Sequence, residues 1–175
     1  MTSIYCPLAS DCPGLNPRKN FRLNSGGNFY YVTIKNFTTG RLLLNEADFD
    51  TEAIIANTGG EAYFNYYKGK FAAMSDCFVF ETKLVNKFVY YFLKSIEKKI
   101  NDVAFSGSGI KHLDKNFFYE FKVSYPKNRS EQIAISNVLE KFDNEIEKLQ
   151  KRLNKTYSVK IGMMQDLLTG KIRLV

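Results

Sequence analysis

The feature that most limits what this 175-residue chain can become lies toward its C-terminal end. Between Ser130 and Asn154 the large apolar residues fall at Ile135, Leu139, Phe142, Ile146, Leu149 and Leu153, in alternating steps of four and three. Such a seam belongs to a helix that buries a narrow stripe against another helix. The flanks agree: Lys141 stands four residues before Glu145, and Glu147 four before Lys151, a spacing at which opposite charges support an exposed helix. The seam therefore predicts a partner, either a second copy of the chain or another subunit. A homodimer through antiparallel helices is the expected assembly. The competing reading, a stripe folded back onto its own domain, fits the length and the polar flanks less well.

Pro126 closes the segment before this helix, and Ser130 is its expected N-cap, with Glu131 and Gln132 in the first turn where the helix dipole favours them. A helix over residues 130 to 154 is roughly 37 Å long at about 1.5 Å per residue. Apolar residues continue at Tyr157, Ile161, Met164 and Leu168 with looser spacing. A helical continuation from Thr156 to Thr169 is expected, with Gly162 weakening it and leaving a bend or break between residues 154 and 162 open, and Gly170 beside Lys171 is the expected stop.

Upstream the pattern changes to short strands and one helix, an α+β fold class. Pro7, Pro13, Gly14 and Pro17 make the first 20 residues irregular. Strands are expected at 29–35, 41–44, 53–56, 62–67, 71–74 and 77–81, where aromatic and β-branched residues concentrate. Gly59-Gly60 reads as a turn, and Lys68-Gly69-Lys70 as the tip of a hairpin joining the fourth and fifth strands. Residues 86 to 101 show helical spacing through Val89, Tyr90, Leu93, Ile96 and Ile100. Ser106-Gly-Ser-Gly109 reads as a loop, 115–120 as a helical turn, and 121–125 as a last strand. The domain boundary is expected at residue 126, leaving 127–175 as a helical arm.

Net charge is +7, distributed unevenly. Residues 1 to 44 hold Arg18, Lys19, Arg22, Lys35 and Arg41 against Asp11 alone, while residues 45 to 61 hold Glu46, Asp48, Asp50, Glu52 and Glu61 and no base. A patchy basic surface suits a polyanion such as nucleic acid. Cys6, Cys12 and Cys77 are odd in number and lack a C-x-x-C spacing, which argues against a disulfide framework and a zinc site. No apolar signal core opens the chain, and the run from Leu84 to Leu93 is short and broken by Asn86 and Lys87. A cytoplasmic protein with no membrane segment is expected.

Catalytic motifs are missing. No Asn/Asp-Pro-Pro-Tyr/Phe motif holds a flipped base, and no G-x-x-x-x-G-K-S/T loop binds phosphate. Glu81-Thr-Lys83 and Glu97-Lys-Lys99 match the E-x-K half of a nuclease site without an upstream Pro-Asp. His112 is the single histidine. No catalytic residue, metal ligand or cofactor bound by this chain is assigned.

Three groups are candidates for touching DNA. Ser106, Ser108, Lys111 and His112 form a glycine-containing loop whose backbone can approach phosphate, with Lys111 neutralising charge. Tyr66, Tyr67, Lys68 and Lys70 combine aromatic and basic side chains at the expected hairpin. Arg18, Lys19 and Arg22 form a basic arm, with Asn16, Asn24 and Asn28 as readers of adenine edges. The bland readings are a flexible connection, a solvated turn with tyrosines packed on the sheet, and an ordinary charged surface.

Several of these segments resemble one family. Glu131-Gln132-x-Ala134-Ile135, then Leu139, Asp143 and Ile146, and finally Met164-Gln-Asp-Leu-Leu-Thr-Gly-Lys171-x-Arg173 resemble the helical conserved region of type I restriction-modification specificity subunits. Ser106-Gly-Ser-Gly-Ile-Lys-His-Leu113 resembles a loop of their target recognition domains. Asn65-Tyr-Tyr67, Lys70-Phe-Ala72 and Ser75-Asp-Cys-Phe78 resemble the middle of those domains. The likeness spans most of residues 25 to 173. Lys127-Asn-Arg-Ser130 departs from it, since the family often has a second proline and an acid there. A full specificity subunit resembles two such recognition domains and two helices in tandem, and this chain resembles half of one.

The resemblance implies a DNA target recognition domain over 1–126 and a spacer and dimerisation arm over 127–175. It also implies a non-catalytic subunit directing a methyltransferase subunit, which uses S-adenosylmethionine, and an ATP- and magnesium-dependent restriction subunit to a bipartite DNA site. The alternatives from other classes are a coiled-coil assembly protein with a protein-binding head, and an intrinsic nuclease.

Overall fold

In a computed structural model of the chain, the described residues are 29–32, 42–44, 47–73, 77–109, 111–114, 117 and 124–174. The chain divides into two compact units, Met1–Ala134 and Ile135–Val175. The fold is α+β, as the pattern of short strands and a long terminal helix predicts.

The first unit is built on a five-stranded sheet of β1 (Phe29–Val32), β2 (Leu42–Leu44), β3 (Phe49–Asn57), β4 (Phe64–Ala73) and β5 (Cys77–Phe80), in the order β2-β1-β4-β3-β5. β1 runs parallel to β4, and the other neighbours are antiparallel. Ala53, Ile54, Ile55 and Ala56 are each at most 1% exposed, so the centre of β3 is buried on both faces. That is why its sequence is an unbroken apolar run with no alternation. On one face Phe49, Ala53, Ile55, Phe71, Ala73 and Cys77 form a cluster joined by Tyr67 and Val79. Helices α1 (Asn86–Ser95) and α2 (Glu97–Ala104) follow, and α1 packs on β3 and β4 with Phe88, Val89 and Leu93 buried.

Three expectations are corrected here. Residues 62–67 and 71–74 are not two strands around a hairpin, because β4 runs unbroken through Lys68-Gly69-Lys70. The acids of β3 supply the reason: Asp50 lies opposite Lys70 and Glu52 opposite Lys68, with Lys68 Nζ 3.4 Å from Glu52. Gly69 absorbs the local irregularity with φ of +122°, a value that only glycine adopts readily. The short strand expected at 53–56 begins earlier, at Phe49. The single helix expected over 86–101 is two, separated at Ile96, whose φ of −114° and ψ of 13° leave the helical region.

Beyond α2, β6 (Phe105–Ser106) and β7 (His112–Leu113) form a two-stranded antiparallel ladder. The expected basic arm (Arg18, Lys19, Arg22) and nearly all of the expected 115–120 turn lie outside the described residues. So does most of the strand expected at 121–125, of which Ser124 and Tyr125 are neither helix nor strand.

Helix α3 (Arg129–Leu168) is continuous for 40 residues, about 60 Å at about 1.5 Å per residue. It runs through 154–162 without the break that Gly162 left open, in line with the expected continuation to Thr169. The hydroxyls most able to compete with the backbone there turn back into the helix instead: Thr156 Oγ1 donates to the Arg152 carbonyl at 2.9 Å and Ser158 Oγ to the Asn154 carbonyl at 3.1 Å. Gly162 alone costs about 1 kcal/mol, too little to break so long a helix. Its N-cap is Asn128, not Ser130: Asn128 Oδ1 accepts from the Ser130 amide at 2.8 Å and its carbonyl accepts from the Glu131 amide. Gly170, at φ of +73°, ends it as expected, with the Ile172 amide reaching the Asp166 carbonyl at 3.0 Å.

Within the first unit, the opening turn of α3 is fastened by Gln132, which is only 2% exposed. Its Oε1 accepts from the Val85 amide at 3.1 Å and its Nε2 donates to the Pro126 carbonyl at 2.8 Å. Gln132→Ala leaves both backbone groups without this partner, and we expect it to cost about 1–3 kcal/mol. Chemical denaturation of the purified variant checks this; a loss below a few tenths of a kcal/mol would show that water replaces the amide freely.

Candidate nucleic-acid interface

The loop that leaves β3 is organised by one buried side chain. Asn57, 4% exposed, donates through Nδ2 to the Gly59 carbonyl at 2.8 Å and to the Glu61 carbonyl, and its Oδ1 accepts from the Tyr63 amide at 2.8 Å. Asn101 of α2 accepts from the Ala62 amide at 3.0 Å, and Glu97 from the Phe64 amide at 3.2 Å. Gly60 holds φ of +86°, and a Cβ placed on it meets nothing within 4 Å. The loop is thus held from within and from α2, with its tip open.

This loop then pairs with the one between β6 and β7. The Gly60 amide donates to the Lys111 carbonyl at 2.8 Å, the Leu113 amide to the Thr58 carbonyl at 3.0 Å, and Gly59 bridges to His112 in antiparallel register. Ser106, Ser108, Lys111 and His112 are all exposed, as is Glu61. Four of the residues expected to touch DNA therefore share one exposed double loop. Gly59-Gly60, a separate turn by its sequence, belongs to that surface too; its closeness to Lys111 is long-range, and no local pattern announces it.

The other candidates are placed differently. Tyr67 stacks edge-on against Phe71, centroids 5.2 Å apart, and joins the core cluster. Tyr66 faces α1, 6.0 Å from the Tyr90 ring, with Lys87 Nζ 5.3 Å from its own centroid. Lys68 and Lys70 are exposed mid-strand, opposite acids of β3. These four do not form a hairpin tip. Among the described residues no group of three or more His, Cys, Asp or Glu side chains is arranged to hold a metal ion, and no helix is long and apolar enough to cross a membrane.

The seam residues lie along α3 as the spacing requires. Leu139, Phe142, Ile146, Leu149 and Leu153 are exposed, from 36% to 64%, and Ile135 is half-buried. Ile146, Leu149, Gln150 and Leu153 outline a shallow groove. Four residues at i, i+3, i+4 and i+7 are the hole that a side chain of a facing helix enters in a coiled coil. The ion pair Glu147–Lys151 forms at 2.6 Å, while Glu145 pairs with Lys148 at 3.5 Å.

Comparison with known proteins adds the family. The profile of the type I restriction modification DNA specificity domain matches residues 14–155. The chain belongs to that family. Among relatives, a Methanocaldococcus jannaschii type I restriction enzyme specificity subunit is 34% identical over 82 residues, 47% of this chain and 19% of that protein. A Mycoplasma genitalium protein named as a putative type I specificity subunit is 38% identical over 63 residues, 36% of this chain and 16% of that protein. The crystal structure of a type I restriction-modification S subunit from M. genitalium shares the fold, with a TM-score of 0.61 at 22% identity. That match covers 94% of this chain and 42% of the solved one. The specificity-domain chain thus spans less than half of each of these proteins.

Proposed function

We propose that this specificity-domain chain reads DNA for a type I restriction-modification system. The carrying observation is the family match over residues 14–155, which takes in both the double loop and the seam of α3. In this reading the first unit recognises one half of a bipartite site in double-stranded DNA. The chain itself performs no chemistry. Methylation with S-adenosylmethionine and ATP- and magnesium-dependent restriction belong to methyltransferase and restriction subunits that it directs, in the cytoplasm.

The sequence contains one seam, exposed on α3 and shaped to receive side chains of a facing helix. A second copy of the same arm supplies that face, and antiparallel pairing gives a two-fold homodimer. Two-fold symmetry makes both copies read the same half-site, so the target is an interrupted palindrome.

Lys111 is the test of the double loop. Exposed beside Gly60 and His112, it is placed to neutralise a phosphate, so Lys111→Ala should weaken binding to all duplex sequences alike. The slope of log affinity against log salt should fall by about one. Lys68→Ala should do less, because Glu52 already faces Lys68. Fluorescence anisotropy across a salt series measures both. A wild-type chain whose binding ignores salt would favour the protein-binding head of an assembly protein instead, and an unchanged slope for Lys111→Ala would move the DNA surface away from the double loop.

A further inference from the structure

We propose that Lys87 and Lys94 of α1 form a second phosphate-contacting track, continuous with the double loop and laid on tyrosine rings. The inference rests on the DNA-binding reading above and extends it to residues outside the loops. Lys87 Nζ lies 5.3 Å from the centroid of Tyr66, and Lys94 Nζ lies 5.0 Å from that of Tyr63. At such distances the ring face attracts the ammonium and limits where its flexible stem can swing. A lysine held this way loses less freedom when it meets a phosphate than one on a bare helix.

Continuity comes through Tyr63. Its amide is held by Asn57, the residue that shapes the loop containing Gly59, Gly60 and Glu61. That loop is bonded to Lys111 and His112. Lys94 therefore sits on the ring of a residue belonging to the double loop itself. Lys87 lies two helical turns back along α1, on the ring of the strand residue Tyr66.

The spacing suits one DNA strand. Seven residues of α-helix rise about 10.5 Å, close to the axial rise of three nucleotides at about 3.4 Å each. Lys94 also pairs with Glu97 at 3.3 Å. Glu97 accepts from the Phe64 amide as well, so its carboxylate stays anchored when Lys94 turns to a phosphate. The tyrosines here act as positioning residues, and the two ammonium groups make the contact.

The test uses the full chain and a labelled duplex of about 30 base pairs and mixed sequence, long enough to cover a specific site, with affinity measured across a potassium chloride series. Lys87→Gln should lower the salt slope by about 0.9; Lys94→Gln, whose ammonium already pairs with Glu97, should lower it by less, and the double variant by more than either alone. Tyr66→Leu removes a ring but no charge, so it should weaken binding while leaving the slope unchanged. Lys148→Gln, on α3, should change neither quantity. A double variant with the wild-type slope would overturn the track, as would an equal fall for Lys148→Gln, which would reduce the effect to net charge. A wild-type chain that binds the duplex without salt dependence would overturn the DNA-reading function itself, an outcome separable from both.

Discussion

A chain carrying Phe142→Asp together with Leu149→Asp is expected to sediment as a monomer at tens of micromolar, where the homodimer proposed above predicts a wild-type dimer. In the single chain these side chains are 64% and 56% exposed, so the change leaves the isolated helix little affected. In a paired seam each is withdrawn from water, and burying a large apolar side chain is worth about 1.5–3 kcal/mol. Two-fold pairing removes four of them, and the replacements put carboxylates where they lose hydration. Since the side chains are already partly covered in the single chain, a loss of at least about 4 kcal/mol follows, about a thousandfold or more in dissociation constant. Helix content by circular dichroism should stay near the wild-type value. A wild-type chain that is already monomeric at that concentration would remove the homodimer, and the arm's partner would then be sought in the methyltransferase subunit that the proposed function invokes.

The largest effect on folding is expected from Phe71→Ala. Phe71 is fully buried, stacked on Phe49 with centroids 4.9 Å apart and met edge-on by Tyr67. It sits where β4 pairs on one side with Tyr30 of β1 and on the other with Phe49 of β3. Truncation removes the ring from the point where the parallel and antiparallel halves of the sheet join. A cost of about 3–5 kcal/mol is expected, a large share of the stability of an ordinary domain. Denaturant unfolding measures it; a cost under about 1 kcal/mol would mean that the neighbouring rings close the space.

Features that repeat locally are legible in the sequence. The seam of α3 is one, because a four-three alternation from Ile135 to Leu153 suits little besides a helix that pairs with another. Gly170 announces the helix end because a left-handed residue suits glycine. Lys68-Gly69-Lys70 misleads because charge and glycine usually mark a turn. The acids that keep it in a strand, Glu52 opposite Lys68 and Asp50 opposite Lys70, lie on β3, and local pattern carries no trace of that pairing. The cap at Asn128 escapes notice because Ser130, an equally suitable side chain, stands two residues on.

The candidate interface shows the same division. Ser106 to His112 stands out as one loop. Its junction with Thr58 and Gly60 depends on the β6–β7 ladder returning beside the end of β3. Lys87 and Lys94 look like no more than the polar side of a helix, because the tyrosines beneath them come from other elements. A long-range arrangement of this kind becomes legible only once the sheet order is known.

The exposed stripe from Leu139 to Leu153 ties the order of the arm to how many chains are present. Alone, the helix is held by its own hydrogen bonds and by ion pairs worth a few tenths of a kcal/mol each. Paired, it gains the burial of the stripe, and stability gained through association rises with concentration. The melting temperature of the arm should therefore climb as the chain is concentrated, while that of the first unit stays put. Where pairing is weak, the number of pairs follows the square of the free chain, so halving synthesis leaves about a quarter of them. In the homodimer reading proposed above, gene dosage then becomes a control on how many palindromes can be read at once.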